Sequence, residues 1–122
     1  MKIKENSLLP DDEFYQLSTR KLLEILEKGL LLERGRALFV LGRRSAEDKE
    51  LIDIVLKEIY DSKNRNTRTI GIVSISFLGI AGLLEAGTED TKKIVKKIIE
   101  TWTEPDCSNL LLFLKSTYQN FQ

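Results

Sequence analysis

The stretch LERGRALFVLGRR, residues 32–44, sets Arg34, Arg36, Arg43 and Arg44 around an uncharged middle. Arginines so placed could grip phosphate or carboxylate, because a guanidinium offers either one a planar fork of donors. A second basic cluster, Lys63, Arg65 and Arg68, falls in a polar run and reads as a solvated loop. Acidic pairs recur at Glu47-Asp48 and Glu89-Asp90. Both sit where a helix would begin, and there carboxylates oppose the positive end of the macrodipole rather than form an acid-base pair. Cys107 is the only cysteine and histidine is absent, so the usual zinc ligands cannot be assembled and no His-activated nucleophile exists. Gly79 and Gly82 lie in an apolar run with no Lys-Ser/Thr behind them, which is not a phosphate loop. No catalytic residue, no metal site and no cofactor is expected.

The elements that would position these groups fit one domain of 122 residues, with a lead at 1–10 and a single helical domain at 11–122. Lys+Arg and Asp+Glu both total 19, so no global field draws a polyanion, and nucleic acid is not an expected partner. One cysteine fits a reducing compartment, and the cytoplasm is the expected location. Lys2 and Lys4 are followed by no apolar core of a secretory signal. Residues 69–84 are uncharged for 16 positions, short of the roughly 20 that span a bilayer, so no membrane span is expected.

Pro10 with Asp11, Asp12 and Glu13 marks a helix start; Phe14, Leu17, Leu22, Ile25 and Leu26 continue it to Gly29, with a nick near Ser18. Residues 31–44 make a second helix. Ser45, with Asp48 three residues on, caps a third over residues 46–60. Tyr60 and Trp102 close matching helices and read as plugs in the packing between units. Residues 61–67 read as loop. Residues 69–87 carry two periods: Val73, Ile75 and Phe77 alternate with Ser74 and Ser76 as in a strand, while Ile70, Ser74, Phe77, Leu78 and Ala81 share a helical face.

Internal repetition favours helix there. Arg34, Ala37, Leu41 and Gly42 spell R-x-x-A-x-x-x-L-G, and Gly71, Ser74, Leu78 and Gly79 occupy the same relative positions. The helices beside them repeat as well, Glu47-Asp48 with Ile52 and Leu56 matching Glu89-Asp90 with Ile94 and Ile98. A paired-helix unit of this pattern resembles the HEAT repeat, particularly the HEAT-like repeats of phycobilisome lyase-type proteins. The likeness covers roughly residues 19–118 as about three units, and the third, near Cys107, Leu111 and Leu114, keeps only the apolar pattern. It implies an all-α fold, a short α-solenoid of about three stacked helix pairs.

With Arg34, Ala37, Leu38 and Leu41 facing the core, Arg36, Phe39, Val40 and Arg43 project to the opposite side at 100° per residue. A shift by the repeat offset adds Val73, Ser76, Phe77 and Ile80. The second helices of such stacks line the concave face. These residues are therefore expected to form an apolar strip rimmed by Arg36 and Arg43, covered by another protein or a second copy of the chain, or by the chain's own residues 1–9 or a terminal helix. A noncatalytic protein-interaction or adaptor module is the expected function. The resemblance implies an alternative, a subunit that handles a bilin chromophore or its acceptor protein.

Overall fold

The computed structural model describes residue 10, residues 12–118 and residue 121. Most of the expected lead, and any cover that residues 1–9 provide, lie outside these. Among the described residues the order is α1 (Asp12–Gln16), α2 (Thr19–Lys28), α3 (Leu31–Arg44), α4 (Glu50–Tyr60), α5 (Ser62–Asn66), β1 (Arg68–Ile70), β2 (Val73–Ser74), α6 (Ile75–Ala86), α7 (Glu89–Thr101) and α8 (Asp106–Thr117). The regular structure of the described residues is helical apart from one small hairpin.

Local chemistry explains most of the boundaries. The nick at Ser18 is a cap: its hydroxyl accepts the Lys21 amide at 3.1 Å and starts α2. Ser45 does not begin the third helix. Its Oγ donates backward to the Gly42 carbonyl at 2.6 Å and closes α3, while Asp48 accepts the Glu50 amide at 3.1 Å, so α4 starts at Glu50 rather than at 46. Thr88 and Thr91 form a reciprocal capping box at the head of α7.

Although Lys63 and Arg68 of the basic cluster stay exposed as expected, residues 61–67 are largely helix rather than loop. They fold into α5, capped by Asp61, with Asn64 buried; its Nδ2 donates to the Glu58 carbonyl at 3.0 Å and its Oδ1 accepts from Arg34 at 3.1 Å. The basic cluster separates accordingly. Arg65 turns inward over the Trp102 ring, 5.5 Å from its centroid, and pairs with Asp106 at 3.4 Å, whereas Arg68 donates to the Ile72 carbonyl at 2.6 Å.

The segment 69–87 holds both of its periods in succession. β1 and β2 pair antiparallel about Gly71, whose φ of +56° a side chain would strain. Helix then begins at Ile75, with the Ser74 hydroxyl accepting the Phe77 amide at 3.3 Å. The expectation of helix from residue 69 is thus corrected for its first six residues.

α3 and α6 form the centre of the fold. A Cβ on Gly35 would meet Leu78, one on Gly79 would meet Leu38, and one on Gly42 would stand 2.9 Å from backbone atoms of Gly82 and Leu83. The pairing advances along both helices together, so they run in the same direction. At Gly42 and Gly82 the backbones touch. α2 packs on α3, α4 on α3 and α6, and α7 on α6, whereas α8 meets α6 less extensively, through Phe113 against Phe77 with ring centroids 5.9 Å apart.

Candidate functional site

The expected strip is not on the surface. Phe39, Phe77 and Ile80 are 0% exposed, Val40 1% and Val73 6%. The cause lies in α6, apolar on every side and buried from Ile75 through Leu83; a helix of that kind sits inside a fold and presents no free face. The covers are α1, α8 and the C-cap residue of α7. Tyr15 of α1 meets the Phe39 ring edge-on at 6.5 Å, and Trp102 and Phe113 close over Phe77 at 6.1 and 5.9 Å. Arg36 is half-buried, and of the seven expected contact residues only Arg43 stays open to solvent.

Around Arg43 the structure assembles a site. The last turn of α3 delivers Arg43 and Arg44, α1 delivers Tyr15, the last turn of α6 delivers Glu85, and Tyr118 follows α8. Arg44 ties these elements together: Nη2 donates to the carbonyls of Tyr15, at 2.9 Å, and Leu17, and Nη1 to the Thr19 hydroxyl at 3.2 Å. Arg43 is held from two sides. Its guanidinium carbon stands 4.6 Å from the Tyr15 ring centroid, and its Nε lies 3.4 Å from Glu85 Oε1. Tyr118 donates its hydroxyl to Glu85 Oε2 at 2.6 Å.

Burial pushes the Glu85 carboxyl above its ordinary value, and the Tyr118 hydrogen bond and the Arg43 charge draw it back only in part. Burial, and then the bond to Glu85, push the Tyr118 phenol far above its usual range, so it stays protonated and donates. Tyr15, Val40, Arg43, Arg44 and Glu47 line an open pocket of about 480 Å³ beside this cluster. Since Glu85 engages the Nε of Arg43, the planar fork keeps an Nη edge for another acceptor. The arrangement can hold an anion over an aromatic and apolar wall. None of the described residues that line the pocket is a serine, threonine, cysteine or lysine.

The remaining candidates sort into structural places. Cys107 is half-buried and its Sγ donates to the Ile99 carbonyl at 3.4 Å. Glu89 and Asp90 occupy the first turn of α7, where Asp90 pairs with Lys49 at 4.0 Å. Trp102 is buried as expected of a packing plug, but Tyr60 is 47% exposed. Among the described residues His, Cys, Asp and Glu form no group of three that could hold a metal ion, and no helix is long and apolar enough to cross a membrane. Sequence reasoning missed Tyr15, Glu85 and Tyr118. Glu85 had a signal: it is the one charge in α6 and sits at the C-terminal end, where the macrodipole disfavours an acid unless a partner compensates.

No known family model, curated protein or solved structure matches this chain.

Proposed function

We propose that the chain is a short stack of HEAT-like helix pairs, working in the cytoplasm as a noncatalytic protein-interaction or adaptor module, and that its Arg43 pocket reads a carboxylate of the partner. The parallel, glycine-mediated contact of α3 and α6 supports the stack, because successive second helices of such an array run alongside one another. One observation carries the functional reading: Arg43 is fixed between the Tyr15 ring and Glu85 while 42% of its side chain remains exposed in the pocket. A guanidinium held in this way loses little freedom on meeting an acid, and that preorganisation favours recognition.

The test is a panel of short peptides bearing Asp, Glu or a free C-terminal carboxylate, each paired with its amide counterpart. Binding that needs the carboxylate and is lost in Arg43→Gln, with the helical signal retained, supports the reading. Equal binding of acids and amides, or an Arg43→Gln variant that binds as wild type does, counts against it. The bilin alternative places propionate carboxylates on the same guanidinium; a shift of the visible band on adding a bilin, lost in Arg43→Gln, would favour that reading instead.

A further inference from the structure

On a separate surface, we propose that the groove between the last turn of α6 and α7 docks an acidic amphipathic helix of a partner protein. Leu84, Val95, Ile99 and Phe121 give a groove of about 410 Å³ an apolar floor, while Lys92 and Lys96 stand along its rim. The two lysines are four residues apart on one helix, so their ammonium groups repeat at about 6 Å along the groove. A partner helix lying beside α7 meets that spacing with carboxylates at i and i+4 and sets its apolar i, i+3 and i+7 side chains on the floor. The charge favours an acidic occupant: Lys93 and Lys97, both exposed, reinforce the field behind the rim, and Glu100 is the one acid that lines the groove.

A bilayer fits poorly. The apolar atoms are recessed, with Val95 3% exposed and Ile99 half-buried, whereas insertion into a membrane needs apolar side chains that protrude. A nucleic-acid backbone fits poorly too, since Glu89 and Asp90 at one end of α7 and Glu100 at the other interrupt any phosphate track.

The probe is a labelled synthetic 18-residue helix with leucines at i, i+3, i+4 and i+7 and glutamates at flanking i and i+4 positions, followed by fluorescence anisotropy at two salt concentrations. Lysine-for-glutamate and scrambled versions serve as controls. The full chain is expected to bind the acidic helix alone. Lys92→Glu with Lys96→Glu should weaken it about tenfold or more, while Lys93→Glu with Lys97→Glu, the same charge change off the groove, should weaken it about twofold or less. Both double variants sit on exposed positions, and a circular dichroism melt confirms that each folds. No binding of the acidic helix, equal weakening by the two pairs, or preference for phosphatidylserine vesicles over the peptide would overturn the proposal. Self-association of the free chain that Lys92→Glu with Lys96→Glu abolishes would also overturn it, by assigning the groove to a second copy. The titrations are repeated in Arg43→Gln, where the other pocket cannot hold the glutamates of the probe. Tight binding that persists there and is weakened by Lys92→Glu with Lys96→Glu assigns the helix to this groove, and binding lost in Arg43→Gln alone would overturn the proposal.

Discussion

Replacing Gly82 with alanine sets two physical effects of opposite sign against each other. Helix propensity alone favours alanine over glycine by about 1 kcal/mol inside a helix. The site opposes it: a Cβ on Gly82 would overlap the carbonyl oxygen of Phe39 and stand 3.1 Å from Gly42 Cα. These are backbone atoms and no side-chain rotamer relieves the clash, so α3 and α6 must separate along an interface that also holds Leu38, Gly79 and Leu78. Overpacking of this kind costs about 1–3 kcal/mol, and backbone-to-backbone contact belongs at the upper end. A net loss of about 2 kcal/mol is expected, close to 8 °C in Tm for a chain of 122 residues. Urea melts followed at 222 nm measure it. Gly42→Ala should cost a similar amount, and the double variant less than the sum, because one separation of the helices accommodates both methyl groups. A Gly82→Ala variant as stable as wild type or more so would refute the close parallel packing.

Glu85→Gln should change how stability depends on pH. The folded carboxyl lies above its ordinary value of 4.5, so between that value and its raised folded value the folded state holds the extra proton, and the contribution of Glu85 falls as pH rises. The stability of wild type relative to Glu85→Gln should therefore be greatest below pH 4.5 and decline above it; urea melts across that range would contradict this if the difference stayed flat or grew. Arg44→Ala should cost about 2–3 kcal/mol, because it strands the Tyr15 and Leu17 carbonyls that a charged donor now satisfies, and hydrogen exchange should show α1 opening first. Phe77→Ala should cost about 3–5 kcal/mol, the range of a large core truncation, given its contacts to Trp102 and Phe113.

What the sequence made legible follows from how local each signal is. The bounds of α3 and the nick at Ser18 could be read because a cap and an apolar period act within a few residues. Ser45 could not be placed in the same way: a serine between two helices can close the one behind or open the one ahead, and here its hydroxyl turns back to Gly42. Residues 69–87 mix two periods because a hairpin passes directly into a helix, and choosing one period for the whole stretch misplaces its first part. The strip failed for a geometric reason. A helical wheel orders residues around one axis but does not say how many neighbours surround it, and the all-round apolar character of α6 was the better guide. The Arg43 cluster joins residues from α1, α3, α6 and the segment after α8, a meeting set by tertiary packing that no spacing along the chain encodes.

The role proposed for Arg43 is to receive a carboxylate of the partner. The most direct measurement follows the Nε–Hε resonance of Arg43 by nitrogen-proton correlation spectroscopy, assigned by its absence in Arg43→Lys, while a peptide carrying a free carboxylate is titrated in and its amide counterpart is titrated separately. A saturating shift of that resonance with the acid alone, accompanied by backbone shifts at Tyr15 and Glu47 across the pocket, is the predicted result. A resonance that stays in place, or that moves equally with the amide, would contradict that role.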